Sequence, residues 1–240
     1  MTQSPEEGLI ASLRRLADDP ATSRGVHNAI RLLTDELHIQ VHHRASIAAA
    51  SRYRDTRHLR IQLGSGNKLQ KGWVNIDLQE NADLQLDLRE NLPFPDDSAL
   101  IIYSEHLFEH LEYPGEAEHL LREALRVLEP GGIFSVGVPD AEETLIQYAR
   151  GELPSLIRQW SADPDLAWFP PWVWTSPMHL VNFFFRQDGE HKHLYDFETL
   201  ELVLRKAGFV DIRRREFSPE LDSRDREDGT LYVDARKRGG

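Results

Sequence analysis

The apolar residues of this chain change period along its length. Up to about residue 58 they recur every three to four positions: Leu9, Ile10, Leu13 and Leu16, then Ile30, Leu33, Leu37 and Val41. That spacing predicts helices over 6–17 and 26–58, parted by the breaker Asp18-Asp19-Pro20. From Arg60 the apolar residues gather in short runs. Arg60-Ile61-Gln62-Leu63 reads as a strand running into Gly64-Ser65-Gly66, and Trp73 to Asp77 as a second. Ala99-Leu100-Ile101-Ile102-Tyr103 has no polar member and reads as a strand covered on both faces. Helical spacing returns over 115–128, with Ala117, Leu120, Leu121, Ala124, Leu125 and Leu128 on one face, and stops at the turn Glu129-Pro130-Gly131-Gly132. Ile133 to Val138 is a further strand, Asp196 to Ala207 a helix closed by Gly208, and 209–212 and 231–235 the last strands. Strands alternating with helices indicate a parallel α/β sheet.

Two stretches break this rhythm. Four of the five tryptophans (Trp160, Trp168, Trp172, Trp174) fall within fifteen residues, among prolines at 154, 164, 170, 171 and 177 that forbid a long helix. The span 218–229 is polar and charged and reads as a mobile loop.

Composition narrows the chemistry. The chain has no cysteine, which excludes thiolate nucleophiles, disulfides and Cys-based metal sites. The net charge of −12 is uneven, because residues 1–60 hold nine arginines against seven acids. An acidic body argues against binding a nucleic-acid backbone. The first residues are acidic and no apolar run reaches a membrane span, so a cytoplasmic setting without membrane is expected.

Candidate chemistry clusters at strand ends. Gly64-Ser65-Gly66, between a strand and an expected helix, suits a tight turn that approaches a ligand, with helix amides favouring an anion. A dinucleotide fingerprint would place a third glycine at 69, where the chain has Leu69. Asp77 ends the next strand, where an acid can accept ribose hydroxyls or simply cap a turn. Asp87-Leu88 stands at the mouth of a further extended stretch. His106, Glu109 and His110 would share one face of a helix and are the expected ligands of a divalent cation, Mg2+. Their H-x-x-E-H order also fits a zinc peptidase, but the motif follows a buried strand and breaks at Pro114. The plainer alternative is that Glu109 and His110 only line a pocket. Arg213-Arg214-Arg215 reads as a solvated strand end.

The order Leu63-Gly64-Ser65-Gly66, Asp77, Asp87-Leu88, Leu92-Pro93-Phe94-Pro95-Asp96, Glu105 to Leu111 and Leu125 to Gly132 resembles the class I S-adenosylmethionine-dependent methyltransferases. Residues 60–140 carry most of it, and Tyr195-Asp196 with Ala207-Gly208-Phe209 agrees. Gln62 and Leu100 depart from it, each standing where that family often has an acid. The resemblance implies an α/β Rossmann-like fold with a mostly parallel seven-stranded sheet and helices on both faces. It divides the chain into a helical cap (1–58), a cofactor-binding core (59–140), an aromatic acceptor lid (141–192) and a closing helix and hairpin (193–240). It also implies that Gly64 and Gly66 hold the methionine end of S-adenosylmethionine and Asp77 and Asp87 its adenosine, with Leu63, Ser65, Leu78, Leu88 and Ser104 lining the same pocket.

Within that family, Gly72 to Asp77 and Pro139-Asp140 are similar to methyltransferases of sugars and polysaccharide precursors. The expected acceptor is therefore a sugar or oligosaccharide hydroxyl, a methylated mannoside among them, stacked on the tryptophans. Such a hydroxyl needs a base or a metal; His106 and His110 are the first candidates and His191 the second. The alternatives are a quinone, lipid or amine acceptor, or a scaffold that binds S-adenosylmethionine without turnover. The expected partners are the acceptor and a second copy of the chain.

Overall fold

A computed structural model describes residues 5–162, 166–167 and 169–240 of the chain. Two N-terminal helices, α1 (Pro5–Ala17) and α2 (Arg24–Ala49), lead into β1 (Leu59–Leu63), β2 (Val74–Asp77), β3 (Leu84–Gln85) and β4 (Ala99–Glu105). Helix α3 (Gly115–Val127) precedes β5 (Leu128–Pro139). Three short helices follow, α4 (Ala141–Ala149), α5 (Leu153–Trp160) and α6 (Pro177–Arg186). Helix α7 (Phe197–Ala207), β6 (Val210–Arg214) and β7 (Thr230–Arg236) close the chain.

The strands form one sheet in the order β3-β2-β1-β4-β5-β7-β6, parallel from β3 to β5, with β7 and β6 antiparallel to their neighbours. This is the Rossmann-like class I methyltransferase fold. The chain runs outward from β1 in one direction and then crosses to β4 on the other side. Their carboxyl ends therefore flank the switch point where α/β sheets bind ligands.

The core is built where the apolar runs predict it. Ile61, Leu63, Ile76, Ile102, Phe134, Val136 and Val138 are buried, and α3 lays Ala117, Leu120, Leu121, Ala124 and Val127 against the sheet. The two alanines let backbone approach backbone, and each buried leucine contributes roughly 1.5–3 kcal/mol. Helix α2 covers the sheet's short edge: Ser46 Oγ accepts the Gln85 N–H (2.9 Å) and His43 Nδ1 accepts the Asp87 N–H (3.1 Å).

Several expectations give way. The second helix stops at Ala49, and a tight turn over Ala50–Tyr53, with Thr56 N–H bonded to the Tyr53 carbonyl, redirects the chain into β1. Of the predicted N-terminal stripe only Ile10 and Ile30 are buried, while Leu9, Leu16 and Leu33 lie exposed. β4 is covered on both faces only beyond Ile101, since Leu100 lies exposed at the sheet margin. Glu129 to Gly132 forms an extended arm of β5 rather than a turn, because Gly131 N–H and Gly132 O pair with Lys237.

The stretch from 141 to 192 folds on itself. Leu153, Ile157, Phe169, Val173, Leu180, Val181 and Phe183 form a second apolar cluster, flanked by Trp160 and Trp174. Its ends meet at the core, where Ala141 N–H bonds the Tyr195 carbonyl and Asp140 bridges Tyr195. Trp168 and Pro164, both part of the expected lid, lie outside the described residues.

Candidate active site

The glycine turn opens at the end of β1. Gly64 and Gly66 both take positive φ (+68° and +51°), which a side chain would strain. A Cβ on Gly64 would meet Leu107 at 3.1 Å, whereas one on Gly66 would meet nothing within 4 Å. Open space at Gly66 is where a ligand can approach the backbone.

The chain from Gly64 to Trp73 runs as turns, and the helix expected there does not form. Side chains compete for its backbone: Gln62 Nε2 donates to the Lys68 carbonyl (3.1 Å), and the Gln70 N–H is shared by Gln62 Oε1 and Asn75 Oδ1 (3.2 and 2.8 Å). A stretch this short and so pinned cannot nucleate helical bonds. Gln62, which stands where an acid was expected, is thus a brace for the loop. Anion binding by a helix start is not available here.

Asp77 ends β2 and clasps the turn, accepting Gly66 N–H (2.8 Å) and Gln79 N–H (3.0 Å). Asp87 is placed differently from expectation. Arg89 holds both its oxygens (2.8 Å each), His43 takes its N–H, and Glu36 grips the far side of the same guanidinium. Burial alone would raise the Asp87 carboxyl, but the Arg89 bonds leave it below the usual range. Its carboxylate and amide are thus engaged within the fold itself, by Arg89 and His43. Leu78 is exposed beside Asp77, while Leu63 and Leu88 point into the core and contribute backbone only. Ser65 and Ser104 are buried at the mouths of β1 and β4, and among the described residues their hydroxyls have no partner.

A strap from the β6–β7 connection crosses this mouth. Asp222 accepts from Arg215 (2.5 and 2.6 Å), Tyr103 (3.1 Å) and Ser218 N–H (2.7 Å). Ser223 N–H and Tyr232 bond the buried Glu105, Asp225 pairs with Lys68, and Gln70 reaches the Leu221 carbonyl. The span expected to be mobile is therefore fastened to β4 and to the glycine turn. Neither Glu105 nor Asp222 stood out in the sequence as a site residue, an acid ending a buried strand being the one signal; Arg215, expected on a solvated strand end, is instead largely buried because Asp222 holds it.

Beyond β4 the chain makes a tight turn at Phe108–His110 in place of the expected helix. His106 adopts positive φ (+54°), which sends its Nε2 to Thr230 Oγ1 (2.9 Å) and leaves Nδ1 3.5 Å from Glu109. The expected set of His106, Glu109 and His110 is therefore not what gathers. Ligating atoms of Glu109, His110 and His191 come within 4.8 Å of one another. The segment carrying His191 is brought there by Lys192 N–H on the Glu109 carbonyl (2.6 Å). His191 donates Nδ1–H to the Phe184 carbonyl (2.6 Å), which leaves its Nε2 open. His110 lies beside Glu190, which partly offsets the effect of its burial.

Burial sets the charge states. It holds His106, His110 and His191 below the usual imidazole range and pushes Glu109 up to about 8. Among the described residues, both Glu109 oxygens, the Tyr195 hydroxyl and His193 Nε2 are buried without a hydrogen-bond partner on another residue. Burial, and after it Glu109, raises the Tyr195 hydroxyl above the usual phenol range, and its ring touches the His193 ring (centroids 4.9 Å apart).

Sheet order, glycine turn and strand-end acid together are those of the class I methyltransferase fold. Residues 55–136 match the family described as a methyltransferase domain, about a third of the chain. On that match and this sheet order the chain carries a methyltransferase domain on a class I fold. No curated protein matches the chain significantly. Among solved structures it is similar to a SAM-dependent methyltransferase of Methanosarcina mazei (16% identity, TM-score 0.48, covering 80% of this chain and 98% of that one). It is also similar to one of Mesorhizobium loti (19%, 0.43, 79% and 95%) and one of Archaeoglobus fulgidus (14%, 0.44, 81% and 94%). The cofactor fits the residues present: space opens at Gly66, and the Ser65 and Ser104 hydroxyls await partners. No helix among the described residues is long and apolar enough to cross a membrane.

Proposed function

We propose that the methyl acceptor is a sugar or oligosaccharide hydroxyl, methylated in the cytoplasm as part of polysaccharide precursor synthesis. The carrying observation is the set of buried polar atoms beyond β4 that have no partner among the described residues: Glu109, Tyr195 and His193. A hydroxyl-rich acceptor satisfies such groups, whereas an apolar ring would leave them desolvated and unpaired. Trp172, 40% exposed on the 141–192 stretch, supplies a face for a pyranose. Most other described rings there are consumed by the stretch's own core, so stacking rests on this one tryptophan.

S-adenosylmethionine, when bound, supplies an electrophilic methyl group. The glycine turn, Asp77, Ser65, Ser104 and Leu78 hold it. The 141–192 stretch shields the mouth from water, and a sugar hydroxyl must still lose its proton. The open nitrogens of the neutral imidazoles His110 and His191 can accept it directly, or a cation held by them can acidify it. His106, tied to Thr230, stands behind Glu109 as a positioning residue.

The test is transfer of labelled methyl to partially methylated oligosaccharides, in parallel with quinone, lipid and amine acceptors. Trp172→Ala is expected to raise KM for an oligosaccharide several-fold with kcat little changed. Turnover of a quinone or amine with no oligosaccharide accepted would refute the proposal. One observation favours that second reading: a concave apolar patch beside α4, lined by Leu145, Ile146, Ala149 and Leu194.

A further inference from the structure

We infer that Glu109, His110 and His191 form a binding site for a divalent transition-type cation, of the Zn2+ or Co2+ class and not Mg2+. The location rests on the methyltransferase reading, but the site's existence does not. Two imidazoles and a carboxylate, one ligand atom each, lie within 4.8 Å of one another. That spread lets all three reach a common ion at about 2.0–2.2 Å after small side-chain rotations.

The second observation is Glu109 itself. It is 1% exposed, it sits within the cluster, and among the described residues neither oxygen has a hydrogen-bond partner on another residue. A buried carboxyl of this kind is costly unless it is paired or coordinates a metal. One histidine is also prepared as a ligand. His191 gives its Nδ1–H to the Phe184 carbonyl, the outer-shell arrangement that fixes the tautomer and aims the other nitrogen.

Donor chemistry decides the class of ion. Mg2+ demands oxygen ligands in an octahedral shell, while imidazole suits zinc, copper, iron and nickel, with Co2+ as the usual spectroscopic stand-in for zinc. With three protein ligands an ion keeps a position open for water or the acceptor oxygen. The Arg226 guanidinium, whose charge acts on Glu109 and His110, is held by the Glu105 carbonyl and carboxylate (3.1 and 3.5 Å). His106 approaches Glu109 to 3.5 Å and orients it from outside the shell.

The test is titration of the chelator-treated full-length protein with Co2+, followed by its visible d–d bands. One equivalent is expected to bind, and Zn2+ to displace it. At a hundredfold excess over Kd, Zn2+ is expected to raise Tm by about 5–10 °C. Mg2+ at equal concentration is expected to leave both unchanged. Losing an outer partner typically weakens a metal about 10–100-fold, so His106→Ala should weaken Co2+ by about that much, and loss of a ligand in Glu109→Gln or His191→Ala by more.

A measurement on the unmutated protein guards against misfolded variants. Zn2+ should protect His110 and His191 from diethyl pyrocarbonate, read by mass spectrometry, and leave the exposed His27 and His42 reactive. Absence of cobalt bands, tighter binding of Mg2+, or full affinity in His191→Ala would each overturn the site. Bound metal with no sugar methylated would sink the acceptor reading alone; methylated sugar with no bound metal would sink this one alone.

Discussion

Replacing Asp222 by alanine probes whether the 218–229 strap is a fastened part of the site. Its carboxylate is fully shielded and takes two bonds from Arg215, one from Tyr103 and one from the Ser218 amide. Arg215 is itself only 13% exposed, so truncation strands a buried guanidinium. Breaking such a pair costs about 3–5 kcal/mol. Arg215 keeps Asp234 (3.2 Å) and Ser135 (3.1 Å), which places the loss near the lower bound, about 3 kcal/mol. For a chain of this size that is a Tm drop of roughly 6–12 °C. Asp222→Asn keeps the volume but sets an amide donor against a guanidinium donor, so it should fall between the two. The second assay is limited trypsinolysis at Arg224 and Arg226, which should accelerate as the strap leaves Glu105 and Lys68. A Tm within about 2 °C of the parent with unchanged cleavage would refute the argument, since a true loop contributes little.

Other outcomes follow from the same geometry. Gly66→Ala should lower Tm by only about 2–4 °C, the strain of a side chain at positive φ, yet cut S-adenosylmethionine affinity far more; equal affinity by calorimetry would mean the ligand does not approach this backbone. Asp77→Ala unclasps two amides and should weaken the cofactor at least about tenfold with a stability loss of about 1–3 kcal/mol; parental affinity would remove Asp77 from the site. The Arg126 bond holds Glu123 below the usual carboxylate range. Its contribution is therefore complete above the unfolded pKa and lost as pH falls through the lower folded value. Glu123→Gln should flatten the drop in urea midpoint below about pH 4.5, and an unchanged acid slope would refute the linkage.

Those tests concern groups that differ in how plainly the sequence announces them. The strands were legible because β-rich runs ending in glycine or acid have few other uses, and α3 because six apolar residues keep one phase. The glycine turn and Asp77 were legible for the same local reason. What was not legible depends on partners far along the chain. Gln62 and Asn75 melt the helix expected after the turn, and Arg89 takes Asp87. The strap's order comes from Tyr103 and Glu105, more than a hundred residues from Asp222 and Ser223. The cation ligands show the same limit: 106, 109 and 110 share a face only on a helix, and at the positive φ of His106 its Nε2 is taken by Thr230. His191 enters through a backbone bond from Lys192 to Glu109, which no spacing rule encodes.

The meeting of Asp140 with Tyr195 has a consequence for how such an enzyme diversifies. The chain leaves the sheet and rejoins it at one bonded point, so the intervening fifty-odd residues form a closed excursion. Lengthening a loop whose ends are already pinned changes its closure entropy only slowly, about 0.6 kcal/mol per doubling. With its own apolar cluster, this excursion can be exchanged for another of different size while the β-strands and the glycine turn stay as they are. Tyr195 and His191 sit at its returning end. A transplanted excursion would thus change which molecule is presented, while its last few residues would still have to supply the imidazole that meets Glu109.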